Sequence, residues 1–178
     1  MESLTIPMTT LSTIGLWSFV GLIAILLIAF LRARTAVSGF KYLWVIIIVG
    51  ILGMLTYVFI KSWHSTVNII ADDLVFNVPF YHKTLPLTDV QFSKISTIDL
   101  STSKAIKLDY RQNGIGLPGY QLGYYRLQRP YHEISMALVS VTEPSKVIVV
   151  PTTENLLLIF SVDNPEDVVE QLNGFSPF

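Results

Sequence analysis

Three histidines, one acidic pair and one glycine-rich run are the residues of this sequence with types and spacing that could do chemistry. His64, His82 and His132 lie far apart and none stands in an HxH or HExxH arrangement. A metal site needs several convergent ligands, so these read as surface histidines and no metal site is expected. Asp72-Asp73 offers paired carboxylates for acid–base work or calcium, but a tight turn is the ordinary home of such residues. The run NGIGLPG, Asn113 to Gly119, lacks the GK[ST] of a Walker loop, and a strand rather than a helix follows it, against a dinucleotide fingerprint. It is either a ligand loop or a structural turn. Lys104, Lys107 and Arg111 form a weak basic cluster that a solvated strand face explains. Serine, histidine and aspartate all occur without a nucleophile elbow. The absence of cysteine excludes disulfides, thiol catalysis and thiolate metal sites. No catalytic residue and no cofactor site emerge, and the chain is read as a protein that is not an enzyme.

The elements that must position these residues begin with two apolar runs. Ile14 to Leu31 carries no charge, and extension back to Leu11 adds only Ser12 and Thr13; Tyr42 to Ile60 is also uncharged, bracketed by Lys41 and Lys61. Crossing a hydrocarbon core of roughly 30 Å takes about 20 helical residues. Two transmembrane helices are therefore expected, at about 11–31 and 42–60, forming with a short N-terminal tail a hairpin over residues 1–61. A cleaved signal peptide wants a basic n-region and a shorter apolar core, whereas residues 1–13 hold Glu2 and no Lys or Arg.

Arg32, Arg34 and Lys41 sit in the link between the runs, against Lys61 alone near the far side of the second. The positive-inside rule puts the link, 32–41, in the cytoplasm and both the N-terminus and the rest of the chain outside the cell membrane. Gly21 and Ala24 would fall level with Gly53 and Gly50 if the turn centres near Ala36–Val37. Small residues at such a level let helix backbones approach closely in lipid; ordinary glycine usage in membrane helices is the alternative.

The chain of 178 residues leaves room beyond the anchor for one domain, 62–178. The hydrophobic share of 51% and mean hydropathy of +0.54 follow from the hairpin. Of the 12 Lys and Arg, four precede residue 62, which leaves eight basic residues in the domain against twelve of the 13 acidic ones. A domain near −4 argues against a nucleic-acid partner, since phosphate neutralisation needs a basic footprint.

VNIIA and LVFNVPFY read as strands around a bend at Asp72-Asp73, and Tyr81 to Val90, broken by Pro86, as a loop. SKISTIDLS and AIKLDYR follow as strands. The glycine-rich run then enters a strand at Tyr120, with Tyr120, Leu122 and Tyr124 on one face and Gln121, Gly123 and Tyr125 on the other. EISMALVSV, KVIVV and NLLLIFSV complete the strands, with EPSK and PTTEN as turns. Strand and turn signals every eight to twelve residues suit a closed or nearly closed antiparallel sheet. The chain ends in a helix at 165–173: Asn164 can cap, Pro165 suits the first position, Glu166 and Asp167 favour the positive end, and Val168, Val169 and Leu172 give the apolar stripe.

This order, with NGIGLPGYQLGYYRL, ALVSVTEPSKVIVVPT and LLLIFSVDNPEDVVEQL, resembles the bacterial PH-like (pleckstrin-homology-like) domain family over roughly Val67 to Leu172. The resemblance is most specific over Asn113–Leu172. It implies an α+β fold, an antiparallel barrel or sandwich of about seven strands capped by a C-terminal helix, and a habit of membrane tethering without enzyme activity. Phosphoinositide binding does not carry over, because the first turn, Ala71-Asp72-Asp73, is acidic where basic residues would be needed. The expectation is a membrane-anchored module that binds a protein or peptide, with Gly114, Gly116, Pro118, Gly119, Tyr120, Tyr124 and Tyr125 as the contact. The alternative is a structural or regulatory subunit that forms homo- or hetero-oligomers through the domain and the helices.

Overall fold

The computed structural model describes residues 3–34 and 41–175. The link residues 35–40, with the turn expected near Ala36–Val37, lie outside that range. Helices α1 (Thr13–Arg34) and α2 (Lys41–Ser62) have 22 residues each, about 33 Å at 1.5 Å per residue. Mean hydropathy is 2.7 over Thr13–Arg32 and 2.6 over Leu43–Ser62, yet only 11% of each apolar stretch is buried. A core helix of a soluble domain would be mostly buried; these expose Ile25, Ile28, Ile46 and Val49. Helix α1 begins after Ser12, whose Oγ accepts the Gly15 N–H at 3.2 Å and so caps the first turn.

The small residues expected to pair the helices do not meet. Gly21, Ala24, Gly50 and Gly53 are exposed, and a Cβ at any of the three glycines would find nothing within 4 Å. The helices join instead at the end nearest the β domain, where Phe19 meets Phe59 edge-on with ring centroids 5.8 Å apart. Phe19 is fully buried there in one cluster with Leu55 and Val58. Large side chains set the spacing, and the glycines are left facing outward.

The β-rich part holds eleven strands among the described residues: β1 (Ser3–Pro7), β2 (Thr66–Ile70), β3 (Asp73–Val78), β4 (Tyr81–Pro86), β5 (Ser96–Ile98), β6 (Leu108–Arg111), β7 (Ile115–Leu117), β8 (Tyr120–Tyr131), β9 (Ile134–Val141), β10 (Val147–Pro151) and β11 (Leu156–Ser161). They form a four-stranded sheet in the order β1-β2-β3-β4 and a seven-stranded sheet in the order β5-β10-β11-β9-β8-β6, with β7 also on β8. In the smaller sheet alternate residues point inward, so Val67, Ile69, Leu74, Phe76 and Leu85 are buried. Phe76 meets Phe160 edge-on at 5.8 Å and ties the two sheets together. The central strands β10 and β11 of the larger sheet are buried on both faces. Its second face packs with Leu100 and Ile106 from the segment between β5 and β6 and with Leu108 at the start of β6.

Three features differ from the sequence-based expectation. Residues 3–7, read as a tail, pair with β2 in register Ser3↔Ile70 to Pro7↔Thr66, so the domain draws a strand from before the hairpin. Residues 81–86, read as a loop, form edge strand β4; Pro86 is its last residue, where a missing N–H removes little from the ladder. The larger sheet is mixed rather than antiparallel, because β11 inserts between β9 and β10 and runs parallel to β9. The connection Thr142–Lys146 therefore bridges over the end of β11 instead of making a tight hairpin. Buried Ser161 holds it: its Oγ accepts the N–H groups of Thr142 and Glu143 at 3.2 and 3.1 Å and donates to the Glu143 carbonyl at 2.9 Å.

Helix α3 (Pro165–Gly174) buries Val168 and Leu172 against the core between the sheets. Asn164 stands at the cap position, but its side chain makes no capping bond; its carbonyl accepts the Val168 N–H at 3.2 Å.

Candidate functional site

The glycine-rich segment folds as the β7–β8 hairpin, with Pro118-Gly119 as a two-residue turn between paired Leu117 and Tyr120. Proline at the first central position and a glycine with φ +75° at the second is the arrangement of a type II turn. Pro118 is exposed, but Gly119 is packed on another element. A Cβ on Gly119 would fall 2.5 Å from the Gly15 amide nitrogen and 2.8 Å from Ser12 Oγ, so the turn lies directly on the first turn of α1. Tyr120, 1% exposed, follows with its ring 5.7 Å from Phe19. Burial pushes its phenol well above the ordinary tyrosine value, and its hydroxyl finds no protein partner. Gly119 and Tyr120 thus hold α1 on the domain. Gly114 and Gly123 press backbone on backbone across the hairpin base, where a side chain on either would meet the opposing strand.

What remains open at this segment is a cluster at the seam of the two sheets. Asn113 Oδ1 accepts the Tyr81 hydroxyl at 2.8 Å and the Tyr124 N–H at 3.1 Å. The rings of Tyr81 and Tyr124 meet edge-on at 5.5 Å. Arg111 lies over Gly116, occupying the place a Cβ would take, with its guanidinium close to the Tyr125 hydroxyl. Partial burial raises the Tyr81 phenol, aided by Tyr124 and Tyr125 and opposed by Arg111. Burial likewise raises Tyr125, with Arg111 opposing. Tyr81 stands on β4 and Arg111 on β6, each an edge strand of its sheet.

The segment-level expectation is thereby divided. Tyr124 and Tyr125 belong to the seam cluster with Gly114 and Gly116 beside them, whereas Gly119 and Tyr120 make the α1 contact and Pro118 is exposed at the turn. Tyr81, Asn113 and Arg111 were not among the expected contact residues. Tyr81 lies 32 residues from Asn113 along the chain, and only the docking of the small sheet on the large one brings them together.

A second concavity, about 510 Å³, opens between the segment 100–109 and the beginning of β8. Leu100, Ile106 and Val141 give it apolar surface, and Lys107 and Asp109 give it charge. Lys104 and Lys107 line a smaller cavity of about 220 Å³ with Arg129, while Arg111 turns to Tyr125, so the expected basic cluster does not converge. The histidines stand apart: His64 beside the end of α2 with Nδ1 3.1 Å from the Ile60 carbonyl, His82 on β4, and His132 in the β8–β9 turn. Among the described residues no three His, Asp or Glu side chains gather as a metal site would require. Asp72 and Asp73 lie at the β2–β3 turn. In comparisons with known proteins, no family model, no curated protein and no solved structure matches this chain.

Proposed function

We propose that this chain is a membrane-anchored, non-enzymatic interaction module. Helices α1 and α2 span the cell membrane, the basic link faces the cytoplasm, and a PH-like β domain stands outside to bind a protein or peptide. The observation that carries this reading is the seam cluster of Tyr81, Tyr124, Tyr125 and Arg111. Tyrosine and arginine concentrate binding energy at protein interfaces, because each offers a large rigid surface with a polar end. The cluster also takes Tyr81 from edge strand β4 and Arg111 from edge strand β6, and an exposed edge can accept an extended segment through main-chain hydrogen bonds. The PH-like reading is supported only by the outline of strands followed by a helix, and the parallel β9–β11 pair departs from the antiparallel sheet it implies.

The test uses the full chain in cells, with a photo-crosslinking side chain at Tyr124 and a tag after Phe178 for protease access from outside. A single crosslinked species that disappears with Arg111→Ala, together with tag cleavage in intact cells, supports the module. Crosslinks that ignore Arg111→Ala would remove the seam from the reading, and a tag protected until lysis would place the domain in the cytoplasm.

One observation favours the alternative of a subunit in a larger membrane complex. Gly21, Gly50 and Gly53 face outward with open space beside them, and small outward faces admit a helix of another chain closely. Crosslinking from Gly53 to a second polypeptide, independent of the seam, would identify that arrangement.

A further inference from the structure

The β3–β4 turn carries an aromatic residue where the backbone favours glycine. Val78 pairs with Tyr81, so the turn consists of Pro79 and Phe80, and Phe80 has φ +66°. A bulky residue in that left-handed region is strained, by about 1–3 kcal/mol, and Gly or Asn is the ordinary occupant of this turn position. The ring is not repaid by burial in the domain core, since Phe80 is 52% exposed. It lies instead against Tyr57 of α2, ring centroids 5.3 Å apart.

We infer that the Pro79–Phe80 turn is a third membrane contact, seated in the edge of the hydrocarbon layer beside α2. The inference rests on the reading of α1 and α2 as membrane spans and adds to it a part of the β domain. From Leu43, where the apolar stretch of α2 begins, to Tyr57 the helix rises about 21 Å. A hydrocarbon core is roughly 30 Å thick, so Tyr57 falls inside it and the residues up to Ser62 are needed to complete the crossing. Tilt makes the shortage larger. A side chain in contact with Tyr57 is then at or below the headgroup boundary. Exposed Trp17, on α1, and Trp63, just past the end of α2, stand within two helical turns of that level, in the manner of an interfacial aromatic belt. The polarity of the small sheet agrees: β3 carries the chain from the acidic Asp72-Asp73 end to the apolar Pro79–Phe80 end. The acidic turn is therefore held away from lipid and the aromatic one toward it.

The full chain reconstituted in phosphatidylcholine vesicles provides the test. Replacing Trp17, Trp44 and Trp63 with Phe removes all three native tryptophans, and Phe80→Trp or Val49→Trp then supplies a single reporter. With bromines placed near the headgroup end or near the centre of the acyl chains, Val49→Trp is expected to lose most emission to the central bromines. Phe80→Trp is expected to emit to the blue and lose most emission to the outer ones. Quenching of Val49→Trp without quenching of Phe80→Trp would overturn the turn contact and leave the spans standing. Quenching of neither would overturn the spans themselves. If tryptophan at position 80 prevents folding, Phe80→Cys bearing a nitroxide, unique in a chain without cysteine, reads the same depth from its relaxation by oxygen. Relaxation no greater than that of a label on the acidic turn, Asp72→Cys, would overturn the contact equally.

Discussion

Gly15 and Gly119 meet backbone to backbone: a Cβ on Gly15 would stand 2.7 Å from the Gly119 carbonyl oxygen. No side chain fits between the first turn of α1 and the tip of the β7–β8 hairpin, so the domain is clamped to its helix where the helix begins. Gly15→Ala and Gly119→Ala should each destabilise the full chain, the second more because its φ of +75° adds strain to the clash. A loss of about 1–3 kcal/mol is expected from overpacking of this kind, read as a drop in Tm in detergent. Gly21→Ala, with open space around it, is the control and should leave Tm nearly unchanged.

Tyr120 is the residue next to that contact, and its hydroxyl is buried without a protein partner. Tyr120→Phe removes an uncompensated polar group and keeps the ring on Phe19, so stability should stay level or rise by up to about 1 kcal/mol. The pH dependence has a definite sign. Burial raises the folded-state value above that of the unfolded chain, so the folded state holds the proton longer. The stability this contributes is complete below pH 10 or so and is lost as pH rises beyond that toward the folded value. Alkaline unfolding followed by near-ultraviolet circular dichroism should therefore move to higher pH in Tyr120→Phe.

Ser161 closes the one unusual connection of the larger sheet. Ser161→Ala leaves two N–H groups under the β9–β10 bridge without an acceptor, and loss of roughly 2–4 kcal/mol follows if each costs the desolvation of a buried donor. Hydrogen exchange at Thr142 and Glu143 is the direct readout. Exchange as slow as in the unaltered chain would show that another group accepts those bonds.

The helices, the alternation along β8 and the apolar stripe of α3 were legible because each is a local pattern. Tyr120 and Leu122 do lie in one buried cluster and Tyr125 in the other. The inserted strand was not legible: Val147 to Val150 and Leu156 to Ser161 are buried continuously, and a run buried on both faces says nothing about its neighbours. Strand β1 escaped because its partner lies beyond two helices. The seam cluster escaped for the same reason, since Tyr81 looked like part of a proline-broken loop. Of the two readings of the small helix residues, packing signal or ordinary glycine usage, the open space around Gly21, Gly50 and Gly53 fits the second within this chain. Phe19 and Phe59, indistinguishable in type from the exposed apolar residues around them, make the contact instead.

Arg111 and Tyr125 give the seam its own assay, independent of any partner. Burial raises the Tyr125 phenol, and the neighbouring Arg111 guanidinium holds it down. Arg111→Ala should therefore move Tyr125 further up, so that its tyrosinate absorbance at 295 nm appears at higher pH. The chain has eight tyrosines, and subtraction of the curve for Tyr125→Phe isolates the one concerned. Stability at neutral pH should change by no more than about 1 kcal/mol, because Arg111 is exposed although the Tyr125 ring is buried. Gly116→Ala offers a second route to the same end, because its methyl group takes the place of the guanidinium and should reproduce the shift with Arg111 still present. Identical titrations in all three proteins would mean that the guanidinium does not rest on Tyr125 in solution, and the seam would lose the charge on which its proposed role depends.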